Sequence, residues 1–111
     1  MICLTVLYPK TADSQFDMEN YLNHHLPLVY ETLTPEGLLS IDFEEGLIGG
    51  LPDTPPSYTV IAHLNFETPE SLQAALAKHA SMLLADIPNF TNAIPVMQIS
   101  RVFNNPLTFS N

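Results

Sequence analysis

Residues Phe16 to Leu28 read FDMENYLNHHLPL, and the way this stretch winds decides the fold. Asp17 has a short carboxylate able to accept from a free first-turn amide, which predicts an N-cap, and Glu19 follows where the helix dipole favours negative charge. Phe16 and Tyr21 stand at the spacing of a hydrophobic staple. Winding at about 100° per residue puts Met18, Leu22, His25, Val29 and Leu33 on one apolar stripe, with Tyr21 at its edge. His25 is thereby aimed at the core. Pro27 deprives the Asn23 carbonyl of its usual amide partner, which predicts a kink or break just after His25.

Working outward, Ile2 to Tyr8 is apolar at almost every position and rich in branched residues, the pattern of a strand buried on both faces. On the other side, Thr34-Pro35-Glu36-Gly37 closes the helix, with Gly37 free to take a positive φ. Leu38 to Glu44 alternates Leu39, Ile41 and Phe43 against Ser40, Asp42 and Glu44, and reads as a second strand. Gly46 to Ser57 holds glycines 46, 49 and 50 with three prolines, a loop with fixed turns.

Tyr58 to Glu67 is the clearest strand, because Tyr58, Val60, Ala62, Leu64 and Phe66 make one apolar face and Thr59, Ile61, His63 and Asn65 a mixed one. Thr68-Pro69-Glu70 starts a second helix, with Thr68 as cap and Pro69 in the first position. Its stripe is Leu72, Ala75, Leu76, His79, Met82 and Leu83. Asp86 to Ala93 reads as a turn or irregular segment, and Pro95 to Phe103 as a fourth strand. Residues 1–103 thus make one domain, and residues 104–111 a C-terminal tail.

The order β-α-β-β-α-β predicts an α+β fold of the ferredoxin-like kind, an antiparallel four-stranded sheet with both helices on one face. Two helices cover one side only. With the first and last strands apolar on both faces, an uncovered second face would be a large hydrophobic patch, which predicts a homodimer packed sheet to sheet.

The 111 residues carry a formal charge of −9, with Lys10, Lys78 and Arg101 as the strong cations. Three cations cannot neutralise a row of phosphates, so nucleic acid and anionic membrane are poor partners. Cys3 is the single cysteine, which excludes an intrachain disulfide, and it reads as a small buried hydrophobe. No basic region precedes the N-terminal apolar run, and no segment approaches the ~20 apolar residues of a membrane span. A cytoplasmic protein is the expectation.

Tyr8-Pro9, Phe16-Asp17, Tyr21, His25 and Pro27-Leu28, in that order, resemble the EthD family. Gly46, Gly49-Gly50, Pro52, Tyr58, His63, Phe66, His79 and the run Ala85-Asp86-Ile87-Pro88-Asn89-Phe90-Thr91 resemble its later signature, and the likeness extends from about Leu4 to Val102. The chain departs from the family at Leu22 and Phe90, where Tyr is more frequent. The resemblance implies a dimeric α/β barrel. It further implies a small-molecule enzyme without a tightly bound cofactor, acting by oxidation, isomerisation or cyclisation on a hydrophobic or aromatic compound.

His25 has the best claim to chemistry, since imidazole shuttles protons near neutral pH; its structural alternative is to bond the carbonyl freed by Pro27. His79 sits mid-stripe on the second helix and is expected to meet His25 across one cavity as the other catalytic candidate, or else to be a satisfied core imidazole. Tyr21 and His63 are the substrate-binding candidates. Tyr21 doubles as the staple residue, and the strand position of His63 suits a dimer interface as well. Adjacent His24 and His25 diverge on a helix, and neither a His-x-x-x-His pair nor a Cys pair is present, so no metal site is expected. The alternative from another class is a non-catalytic accessory protein whose pocket carries a hydrophobic ligand.

Overall fold

A computed structural model describes residues 1–103 of the chain; the expected tail, 104–111, lies outside the described residues. Four strands, β1 (Ile2–Pro9), β2 (Leu38–Glu45), β3 (Tyr58–Phe66) and β4 (Val96–Arg101), form one antiparallel sheet in the order β2-β3-β1-β4. The first helix covers residues 18–33 and the second Pro69–Asp86, each followed by a short 3₁₀ turn, Thr34–Glu36 and Ile87–Asn89. This is the ferredoxin-like α+β arrangement.

Local chemistry starts both helices and closes the first as the sequence predicts. The Asp17 carboxylate accepts from the Asn20 amide at 3.0 Å, and Thr68 Oγ1 accepts from the Ser71 amide at 3.1 Å. Gly37, at φ 109°, reverses the chain into β2 in a conformation that a side chain would strain. Val60, Ala62, Leu64 and Phe66 of β3 join Leu4, Val6 and Tyr8 of β1 in the core beneath the helices. Leu33, Phe66 and Leu72 are fully buried there. Truncating any of them to Ala should cost about 2–5 kcal/mol.

The first helix departs from the regular winding. Met18–Asn20 and Leu26–Leu33 are α-helical, but Tyr21–His25 is a π-helical turn in which the Leu26 amide bonds the Tyr21 carbonyl. The expected kink or break is therefore a wide turn, and the helix runs on through Pro27. A regular ladder would aim the Asn23 carbonyl at the proline ring, which has no N–H to give; the widened turn lies directly before that conflict. Its consequence is a change of phase. Tyr21 is fully buried at 0% exposure while Leu22 is turned out at 42%, so the apolar stripe is Tyr21, His25, Val29 and Leu33.

The other face of the sheet is read from the register in three rows: Ser40, Asn65, Cys3, Ser100; then Asp42, His63, Thr5, Gln98; then Glu44, Ile61, Leu7, Val96. Two rows are mostly polar. The expectation that both faces of the first and last strands are apolar holds less well here, because Met97 and Ile99 fall on the helix side and leave Gln98 and Ser100 outside. Cys3 is buried and free, as expected. Among the described residues, no helix is long and apolar enough to cross a membrane.

Candidate active site

The segment before the first helix is tied to the segment after the second. Phe16 and Thr91 form an isolated bridge, the Asp17 amide donates to the Phe90 carbonyl at 2.7 Å, and the Thr91 hydroxyl donates to the Gln15 carbonyl at 2.6 Å. Phe16, Phe90, Tyr8 and Tyr21 pack around this tie, with ring centroids 5.1 to 5.9 Å apart. Most of these pairs meet edge to face, the arrangement that the ring quadrupoles favour. The clamp holds the first turns of the first helix against the end of the second.

That juxtaposition pairs His25 with Asp86. His25 is 5% exposed and its Nδ1 lies 2.8 Å from Asp86 Oδ2, while Asn89 Nδ2 donates to Asp86 Oδ1 at 2.9 Å. The His25 and Asn89 hydrogen bonds hold the Asp86 carboxyl below its ordinary range. An ionised carboxylate only accepts, so Nδ1 must carry the hydrogen, and in the neutral ring Nε2 bears the lone pair. The imidazole is further fixed by stacking on Phe90, at 4.5 Å between centroids and 27° between planes.

His25 lines a pocket of about 130 Å³ between the two helices and the sheet. The walls are hydrocarbon from both helices, β1 and β3, with Met97 from β4; the polar side chains among them are Tyr8, Tyr21 and His25. Tyr21 stacks near His25 at 5.7 Å and 22°, and its buried hydroxyl has no hydrogen-bond partner. An orphaned buried hydroxyl costs about 1–3 kcal/mol, so its retention beside a pocket needs a reason other than packing. Burial holds the Tyr8 and Tyr21 phenols well above their usual range, which keeps both protonated as donors.

The structure brings together two of the four candidates named from the sequence. His79 is not part of this pocket, and the expectation that it meets His25 across one cavity is corrected. Its Nε2 lies 3.5 Å from Glu36 Oε1, within reach of charge attraction but without hydrogen-bond alignment, and Lys78 Nζ reaches the same oxygen at 3.1 Å. The acidic residue just past the first helix turns the imidazole toward its own end of the bundle. His63 lies across the sheet, with Nδ1 3.4 Å from Thr5 Oγ1 and Nε2 3.4 Å from Glu44 Oε1. The sequence placed Asp86 in a turn and in the family-like run Ala85 to Thr91 but gave it no role at the site; the clue to its role is its place just beyond the second helix's apolar stripe, with Asn89 three residues on. Among the described residues, no group of three or more His, Cys, Asp or Glu is arranged to hold a metal ion.

The EthD domain model matches residues 9–93, which includes the pocket's His25, the Asp86 carboxylate and, of the aromatic clamp, Phe16, Tyr21 and Phe90. An EthD-like protein from Ralstonia eutropha JMP134 superposes with a TM-score of 0.86 at 31% identity, over 95% of this chain and 94% of that one. An ethyl tert-butyl ether degradation (EthD) family protein from Bacillus halodurans C-125 follows with a TM-score of 0.71 and 22% identity, over 93% and 99%. A protein from Arabidopsis thaliana shares the fold at 13% identity and a TM-score of 0.68, over 96% and 100%. No curated protein matches the chain in sequence.

Proposed function

With the chain belonging to the EthD domain family, we propose that it is a small-molecule enzyme whose chemistry is proton transfer on a hydrophobic substrate, with His25 as general base and acid. The observation that carries this reading is the His25–Asp86 pair in the wall of an otherwise apolar pocket. Nε2 takes a proton from a carbon next to a carbonyl. The C–H electron pair becomes a C=C bond, and the carbonyl π pair moves onto oxygen, where the Tyr21 hydroxyl donates a hydrogen bond to the developing charge. For a β,γ-unsaturated carbonyl compound the enolate is a conjugated dienolate, and returning the proton from Nε2 to its γ-carbon completes the isomerisation to the α,β-unsaturated product. The Nε2 lone pair only borrows and returns a proton and the substrate neither gains nor loses electrons, so the scheme calls for no cofactor, and it favours isomerisation over oxidation or cyclisation. His79 and His63 have no part in it.

Assembly as a homodimer through the uncovered sheet face belongs to the same proposal. The support is the apolar run Ile61, Leu7 and Val96 on that face, in the row that ends in Glu44, together with the exposed Ile94 two residues before Val96. A monomer mass by light scattering at micromolar concentration would remove it.

The experiment for the chemistry is deuterium exchange in D₂O at the acidic carbons of small cyclic enones, followed by NMR. Wild-type protein is expected to accelerate exchange, and His25→Gln to lower the rate by roughly 10²–10⁴-fold. Equal rates in both proteins, with enone binding retained, would leave a ligand-carrying accessory protein in place of the enzyme.

A further inference from the structure

We propose that the pocket takes an uncharged single-ring compound bearing one oxygen, bound through that oxygen to the Tyr21 hydroxyl, and that it refuses the corresponding carboxylate. The inference deepens the functional reading above and rests on the same pocket, but it concerns binding and stands or falls apart from turnover.

Size is the first argument. At about 130 Å³ the space is close to a dry apolar cavity of roughly 150 Å³ that accepts one benzene. One six-membered ring fits; a fused polycycle does not without opening the helices.

Polarity is the second. Tyr21 lines the pocket and offers one buried donor without a partner, closed off from the empty space until a ligand parts the side chains around it, its burial keeping the proton on the phenol. A ligand oxygen at that point would satisfy it, whereas a pure hydrocarbon would leave it orphaned. His25 has already committed Nδ1 to Asp86. The remaining polar groups of the wall are the His25 Nε2 lone pair and the Tyr8 hydroxyl at the sheet side. A ring with several hydroxyls would therefore strand some of them in hydrocarbon.

Charge is the third. None of Lys10, Lys78 and Arg101, the three strong cations of the chain, lines the pocket. A buried carboxylate needs a cation or a set of donors to replace its hydration. Protonated His25 is a poor substitute, because its charge is already matched by Asp86 at 2.8 Å. A second carboxylate would also meet Asp86 as a like charge across one imidazole.

The test uses phenol, cyclohex-2-enone, benzene and benzoate as probes at pH 7.5, with binding read from methyl shifts of Leu76 and Leu83 in NMR titrations. Phenol and cyclohexenone are expected to shift these methyls with benzoate binding at least about 100-fold more weakly. Tyr21→Phe should weaken phenol about fivefold and leave benzene unchanged. Ala80→Phe, which fills the pocket from the second helix, should abolish all binding, and it serves if Tyr21→Phe does not fold. Benzoate binding as tightly as phenol, or phenol keeping its affinity in Tyr21→Phe, would overturn the assignment, as would methyl shifts surviving in Ala80→Phe. If the neutral rings bind as described but no deuterium exchange follows, the ligand class stands and the acid–base reading falls.

Discussion

His25 Nδ1 lies 2.8 Å from Asp86 Oδ2, a contact between residues 61 positions apart that ties the middle of the first helix to the end of the second. Neither partner has its role alone. The carboxylate fixes which imidazole nitrogen holds hydrogen, and the imidazole and Asn89 together account for both carboxylate oxygens. A single deletion therefore strands the other partner in a mostly buried site.

The first prediction concerns the tautomer. In ¹⁵N-correlated NMR of neutral His25, Nδ1 should appear as the protonated nitrogen and Nε2 as the bare one, and Asp86→Asn should weaken this preference while lowering stability by about 1–2 kcal/mol. A spectrum with hydrogen on Nε2 at neutral charge would reverse the roles assigned to the two nitrogens. His25→Leu is expected to destabilise by about 2–4 kcal/mol, since it leaves the Asp86 carboxylate facing hydrocarbon. A fold that tolerates Leu at this position without loss would mean that Asp86 reaches water or another donor unaided.

The second is a pH dependence. Asp86 and Glu36 are both held below the ordinary carboxylate range, Asp86 by the hydrogen bonds from His25 and Asn89, Glu36 by the hydrogen bond from Lys78 and the nearby His79 imidazole. The folded state then binds fewer protons than the unfolded one through the acid range, so stability rises with pH there. The contribution is fully present above about pH 5 and is lost as pH falls through 4 and below. Urea midpoints between pH 7 and pH 3 should fall for wild type, and fall less steeply for Asp86→Asn with Glu36→Gln. Parallel curves for the two proteins would locate the acid sensitivity elsewhere.

The third lies at the start of the β2–β3 loop. A Cβ on Gly46 would collide with the Tyr58 carbonyl oxygen and come 2.8 Å from Pro56 Cβ, while the Gly46 amide is held by the Thr59 carbonyl at 2.8 Å. The obstacle is backbone, which cannot swing aside as a side chain would. Gly46→Ala should cost about 1–3 kcal/mol by urea denaturation, whereas Gly50→Ala, with open space around it, should cost little. Equal midpoints for the two variants would show that the loop shifts freely.

Elements were legible in the sequence where one residue type settles the local choice: Asp17 and Thr68 as caps, Gly37 as the reversal, and the alternation of β3 that separates Leu64 from His63. The strand pairing followed from that order. Three features depended on what no local pattern encodes. The π turn offsets the helix by one residue, so the 3.6-residue winding names Leu22 where Tyr21 is the buried side chain. Asp86 gains its meaning from a residue 61 positions away. His79 sits mid-stripe by periodicity, yet the carboxylate of Glu36 draws it from the cavity. In each case a tertiary partner or a backbone adjustment overrode a sound local rule.

The last prediction reads the phase of the first helix directly. On a regular helix Leu22 shares the stripe of His25 and Val29, and Tyr21 lies at its edge; with the wide turn, Tyr21 is fully enclosed and Leu22 faces outward. Truncation separates the two geometries. Tyr21→Ala would empty a ring-sized space among Tyr8, Phe16 and Phe90 and should cost about 3–5 kcal/mol. Leu22→Asn removes a side chain that is 42% exposed and should change stability by no more than about 1 kcal/mol. Tyr21→Phe, which discards only the unpartnered hydroxyl, should leave stability unchanged or raise it by up to about 1 kcal/mol. Thermal and urea unfolding of the three variants would check the order; a Leu22→Asn loss as large as that of Tyr21→Ala would restore the regular winding and with it remove the Tyr21 hydroxyl from the pocket wall.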